Sequence, residues 1–153
     1  MNILFRVDAG EKVGLGHFYR AVGLARFLSR SGHTVQFVHR SSSFWSALKE
    51  FEFDRYSFSE QYCDQEMIRL CNDLNCDVLF IDAIITFKPH IFDSLNKQIK
   101  TFFYQNISSS RHLCDVFILP SIHQDASFFL HFLTQPKFIK AWSMFYLTLR
   151  LRH

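Results

Sequence analysis

Short runs of strand-forming residues alternate with stretches of helical period along most of this chain, and that alternation limits the fold more than any other feature. NILFRV (residues 2–7), TVQFVH (34–39), RYSF (55–58), DVLFI (77–81), IKTFFY (99–104) and DVFIL (115–119) are rich in β-branched and aromatic residues and read as strands. Between them, His17–Ser31 carries Phe18, Ala21, Val22, Leu24, Ala25 and Leu28 as one apolar stripe, with Gly32 as the stop. Ser43–Phe51 reads as a short helix entered through a serine cap among Ser41–Ser43. Glu60–Leu74 reads as a helix turning Met67, Ile68, Leu70 and Cys71 inward, and Pro89–Lys97 as a further helical segment. Strand–helix–strand units at this spacing predict an α/β fold, a doubly wound parallel sheet with helices on both faces. Ligands bind such sheets at the carboxyl ends of the strands, so the loops 8–16, 40–43 and 82–88 hold the candidate site.

Composition narrows the class. The 153 residues are 48% apolar and 20% charged, which is globular. A formal charge of +3 gives no strong case for a nucleic-acid partner, and none is expected. Cys63, Cys71, Cys76 and Cys114 form no CxxC pair and no zinc spacing, so the thiols are expected buried and reduced, with no metal. No secretory leader pattern opens the chain, and no apolar stretch reaches the roughly 18 residues of a membrane span. A cytoplasmic protein without a cofactor is the expectation.

VDAGEKVGLGHFYR, residues 7–20, is the densest cluster of unusual residues. It follows a strand and opens a helix, whose N-terminal N–H groups suit a phosphate, a carboxylate or a developing oxyanion. After Gly14-Leu15-Gly16 the third glycine position of a dinucleotide fingerprint is Tyr19, and no Gly-Lys-Ser/Thr follows. Both familiar phosphate motifs therefore fail. What remains is GLGH, with His17 in the first helical turn and Arg20 three residues on, nearly on the same face. The helix dipole disfavours a cation there, which suits His17 as a general base. Arg6 and Asp8 share one side of the first strand if it runs that far, with Val7 on the other. The bland alternative is that the glycines shape a turn and His17 caps the helix. Asp82, at the end of DVLFI, serves either as a ligand contact or as a turn residue.

The stretch RVDAGEKVGLGHFYRAVGLARFLSRSGHTVQFV resembles the start of the UDP-sugar hydrolase family of pseudaminic acid biosynthesis and its spore-coat polysaccharide relatives. That family opens R-x-D-x-G-x-x-x-G-x-G-H-x-x-R, and Arg6, Asp8, Gly10, Gly14, Gly16, His17 and Arg20 match it position by position. The resemblance is clear over residues 2–40 and still legible through FIDAII and RHLCDVFILPS. It implies a Rossmann-like domain, the N-terminal half of a GT-B-type fold. It further implies cleavage of the bond between a sugar C1 and the UDP phosphate, with His17 as the catalytic group. Arg6, Asp8, Gly14, Gly16, Arg20 and Asp82 would bind the substrate, a UDP-2,4-diacetamido-2,4,6-trideoxy-altropyranose or, in a related transferase, another UDP-sugar.

The chain departs from that pattern in two places. Asp82 is followed by Ala83, Ile84 and Ile85, where the family commonly carries polar or aromatic residues. After QPKFIK (135–140), which resembles the family's lead-in to its second, nucleotide-binding domain, no second glycine-rich loop appears. The expected organisation is a Rossmann-like domain over 1–140 and a divergent tail over 141–153, the second domain being absent. Phe128, Phe129, Phe132, Phe138, Trp142, Phe145 and Tyr146 form an aromatic C-terminal region suited to self-association or to a partner chain. The competing function is therefore a truncated or non-catalytic domain that binds ligand or needs such a partner. His33 and His39 lie at the ends of the second strand, and either His39 with Arg40 reaches the same cleft or both histidines are exposed loop imidazoles; His112, His123 and His131 are expected as solvated or capping residues.

Overall fold

The computed structural model describes residues 1–120 and 138–141. The aromatic region and the tail, Phe138 and its strand apart, lie outside the described residues, as do His123 and His131. Seven parallel strands form one sheet: β1 (Asn2–Val7), β2 (Thr34–Arg40), β3 (Asp54–Phe58), β4 (Val78–Asp82), β5 (Lys100–Tyr104), β6 (Val116–Pro120) and β7 (Phe138–Ala141). Their spatial order is β3-β2-β1-β4-β5-β6-β7, the Rossmann-like arrangement, with β7 continuing it at the edge. β7 was not expected as a strand: FIKA pairs with β6 in the same sheet.

Alternation along the central strands splits the core in two. Ile3, Phe5 and Val7 of β1 face α1 (Gly16–Arg30) and its buried Phe18, Ala21, Val22, Ala25 and Leu28. Leu4, Leu79 and Ile81 face the other way, onto Met67, Ile68 and Cys71 of α3 (Cys63–Asp73). The helix α1 stops at Gly32, whose φ of +83° lets Gly32 N–H reach Ser29 O and His33 N–H reach Leu28 O. That pair of bonds closes the last carbonyls of the helix.

Two helical segments are shorter than their sequence pattern. α2 (Ser43–Ala47) begins under a Ser42 cap but ends at Leu48, because Phe51 leaves the helix to pack edge-on against Phe37, 5.1 Å between centroids. Pro89–Ser94 is a 3-10 helix rather than an α-helix. Asn72 fixes its end from across the fold, donating to Ser94 O and accepting from Asn96 N–H. Such side-chain bonds to backbone compete with continued helix.

The strand order reverses between β1 and β4, and the loops following these two strands diverge there. Val7 pairs in register with Asp82, so the glycine loop and Asp82 leave the sheet side by side.

Candidate functional site

The glycine loop folds back on itself before entering α1. Gly10 and Gly14 form an isolated bridge, with Gly14 N–H donating to Gly10 O at 2.8 Å. Gly14 takes a φ of +80°, a conformation that glycine adopts without a Cβ penalty. Gly16 has no such need. A Cβ at Gly16 would meet nothing within 4 Å, so its lack of a side chain leaves open space at the helix N-terminus. No side chain caps that end, where Leu15 is the N-cap residue. Beside it, an open cleft of about 550 Å³ is lined by Gly10, Glu11, Gly14, Leu15, Phe44 and Ala47.

At the reversal point His17, Arg20 and Asp82 come together. Asp82, 1% exposed, accepts from His17 Nδ1 at Oδ1 (2.6 Å), from Arg20 Nη2 at Oδ1 (2.7 Å) and from Arg20 Nε at Oδ2 (2.9 Å). A carboxylate cannot donate, so this geometry places a proton on Nδ1, and in the neutral ring the Nε2 lone pair is then free. Arg20 Nη2 also approaches His17 Nδ1 at 3.1 Å, the crowding expected of donors sharing one oxygen. The arginine meets the carboxylate as a two-pronged fork. Burial works against the Arg20 charge, but its bonds to Asp82 outweigh that and raise its pKa. Below the guanidinium lies the Tyr104 ring, 4.4 Å from Arg20 Cζ to the centroid. Burial raises the Tyr104 phenol pKa, so the ring stays neutral. Tyr104 escaped the sequence reading because IKTFFY looks like any strand. Its one signal is its place at the carboxyl end of the strand beside β4.

Arg6 and Asp8 are placed differently from the expectation. Arg6 has no exposed surface and Asp8 is buried, so neither presents itself to a ligand. The cause is the start of α3 and the end of β2, which meet these two side chains at the end of β1. Arg6 Nη2 donates to Asp8 Oδ2 at 3.0 Å, Arg6 Nη1 donates to Cys63 Sγ, and Asp64 lies 3.7 Å away. Asp8 Oδ1 in turn accepts from Arg40 N–H at 3.0 Å, tying the glycine loop to the end of β2. Ser42 adds a second tie, its hydroxyl donating to Ala9 O at 2.9 Å. Together they form the floor that sets the loop's height.

His39 also departs from expectation. It is buried at the end of β2, stacked on Trp45 with centroids 4.0 Å apart and planes within 5°. Its Nδ1 bonds to Arg40 O at 2.9 Å, and burial lowers its pKa. The four thiols are free and buried, and no group of side chains suited to a metal ion occurs among the described residues. No described helix is long and apolar enough to cross a membrane.

Neither a protein-family model nor a curated protein matches the chain. Solved structures do. MurG of Acinetobacter baumannii aligns with 90% of the chain and 44% of its own length, at 12% identity and a TM-score of 0.61. An alpha-glucosyltransferase in complex with UDP-glucose and DNA containing an abasic site aligns with 91% of the chain and 41% of its own, at 15% identity and 0.63. A glycosyltransferase of Rickettsia africae aligns with 91% and 42%, at 12% identity and 0.57. The chain thus spans less than half the length of these proteins, and its fold is that of the N-terminal, Rossmann-like half of a GT-B-type structure.

Proposed function

We propose that this chain is the sugar-facing half of a nucleotide-sugar enzyme of surface-polysaccharide biosynthesis. The reaction is hydrolysis of a UDP-2,4-diacetamido-2,4,6-trideoxy-altropyranose type of substrate, or transfer of a related sugar, in the cytoplasm. The observation that carries the reading is the His17–Asp82–Arg20 cluster beside an uncapped helix N-terminus at the sheet's reversal point. The GT-B-like fold supports it, because the similar alpha-glucosyltransferase structure holds UDP-glucose.

In this mechanism His17 Nε2 takes a proton from the attacking water, or from an acceptor hydroxyl, as the oxygen bonds to the sugar C1. The bond from C1 to the phosphate oxygen breaks, and UDP leaves with the electron pair. Asp82 holds the imidazole orientation and stabilises the imidazolium as it forms. The α1 N-terminus, open at Gly16, faces the negative charge that develops on the departing phosphate. Arg20 braces Asp82 through its two-pronged contact and adds positive charge to the same side. Arg6 and Asp8 support the loop from below.

The test is UDP release from UDP-linked acetamido sugars, by the chain alone and with candidate second-domain proteins added. His17→Ala should abolish turnover. Unchanged turnover in that variant would refute the reading, and an absence of turnover with every addition tried, while UDP-sugar still binds, would favour a ligand-binding domain instead.

A further inference from the structure

We infer that Tyr104 is an additional positioning residue of this site and acts through Arg20, an inference that rests on the reading of His17, Asp82 and Arg20 given above. Tyr104 ends β5, the strand beside β4, whose last residue is Asp82. The three residues that follow Asp82 are Ala83, Ile84 and Ile85, none of them polar. The aromatic neighbour therefore comes from the next strand.

The Arg20 guanidinium is held in two directions. Nε and Nη2 make the fork to Asp82, and Cζ lies over the Tyr104 ring, 4.4 Å from the centroid. The fork holds the guanidinium edge but leaves its faces free, and with the Arg20 side chain 27% exposed water can reach them. A ring beneath the planar face excludes that water from one side and adds cation–π attraction. The ring is itself fixed: half-buried, Tyr104 packs against the core cluster that includes the buried face of α1, with its centroid 6.2 Å from that of Phe80.

The consequence reaches His17 because Asp82 Oδ1 serves both donors, His17 Nδ1 at 2.6 Å and Arg20 Nη2 at 2.7 Å. Any drift of Arg20 changes the oxygen that orients the imidazole. Tyr104 thus fixes the base without touching it, and the ring rather than the hydroxyl does so.

Two variants separate these features. Tyr104→Leu keeps apolar volume but removes the ring, and Tyr104→Phe keeps the ring but removes the hydroxyl. In nitrogen-15 NMR of the full chain, the Arg20 Nε–H proton should be shifted upfield by the ring and exchange slowly in the parent and in Tyr104→Phe. Tyr104→Leu should lose both signatures. In UDP release, Tyr104→Leu should lower kcat by about tenfold with KM changed less than about twofold, and Tyr104→Phe should restore the rate. An Arg20 signal unchanged in Tyr104→Leu overturns the inference, and so does a Tyr104→Phe variant as impaired as Tyr104→Leu. A parent chain without turnover on any UDP-sugar would instead count against the reaction, while the NMR comparison still decides the role of Tyr104.

Discussion

His17 Nδ1 and Asp82 Oδ1 stand 2.6 Å apart although 65 residues separate them in the chain. The contact joins the two strand ends at which the sheet reverses its order, and it sets which imidazole nitrogen is free. Asp82→Asn tests that assignment. An amide offers one acceptor oxygen in place of two, so it cannot serve His17 Nδ1–H and both Arg20 donors. Turnover should fall by about 10²–10⁴-fold. Stability should fall by roughly 1–3 kcal/mol as Arg20 loses its fork. UDP-release kinetics and urea unfolding measure the two effects, and an unimpaired rate would remove Asp82 from the mechanism.

Gly14 and Gly16 should respond oppositely to alanine. Gly14 sits at a φ of +80°, so Gly14→Ala should cost roughly 1–2 kcal/mol of unfolding free energy. Gly16 opens α1 with free space where a Cβ would stand, so Gly16→Ala should leave stability intact or raise it by up to about 1 kcal/mol. Its methyl group would nevertheless occupy the approach to the helix N-terminus. Calorimetry with a UDP-sugar should therefore show weakened binding for Gly16→Ala, and equal affinity would mean that no ligand approaches there.

Much of this geometry follows from local pattern, and the rest follows from contacts that local pattern does not encode. Strand runs and the α1 stripe are periodic over their own few residues, so they could be read directly. Arg20 beside His17 follows from helical spacing. Their partner Asp82 required the parallel register that pairs Val7 with Asp82, a long-range relation visible only once the strand order is known. The burial of Arg6 and Asp8 was illegible for a similar reason. An arginine and an aspartate at a strand end read as ligand contacts until Cys63 is seen to meet Arg6 and Arg40 to meet Asp8, both from other elements. FIKA was passed over as a strand because four residues offer too short a period, and its identity comes from pairing with β6.

His39 should make the fold sensitive to acid. Burial against Trp45 lowers its pKa, with Arg55 and Arg6 lowering it further and Asp8 and the Arg40 carbonyl opposing. The folded state therefore binds this proton more weakly than the unfolded chain, whose histidine titrates near about 6.5. The His39 contribution is neutral to stability above that value and increasingly unfavourable as pH falls below it. Urea midpoints between pH 5 and 8 should drop more steeply for the parent than for His39→Phe, which keeps a stacked ring but cannot take up a proton. Parallel curves would exclude His39 as the source.

Asn106 should govern the loop that follows Asp82. It has no exposed surface, donates through Nδ2 to Ile85 O at 2.9 Å and accepts at Oδ1 from Ser108 N–H at 3.1 Å. Ser108 donates to the same Ile85 carbonyl at 2.8 Å. Asn106→Ala removes the partner of Ser108 N–H and one of the two donors to Ile85 O, and should cost roughly 1–3 kcal/mol. Amide exchange should accelerate across residues 83–87 before it does so in α1, and uniform protection would show that the staple is dispensable.

Cys63 should be chemically silent yet structurally important. Burial pushes its pKa up to about 11, against the opposing charge of Arg6, so almost no thiolate exists at pH 8. Cys114 is pushed up to about 12 for the same first reason. An aromatic disulfide reagent should therefore leave both thiols unmodified in the native protein and react with them in urea. The sulfur still has a task, because it accepts from Arg6 Nη1, which has no access to water. Cys63→Ala strands that donor and should cost roughly 1–3 kcal/mol, whereas Cys63→Ser offers an oxygen in the same place and should cost less. If the two variants unfold at the same urea concentration, the thiol only fills space and the height of the glycine loop is set by Asp8 and Arg40 without it.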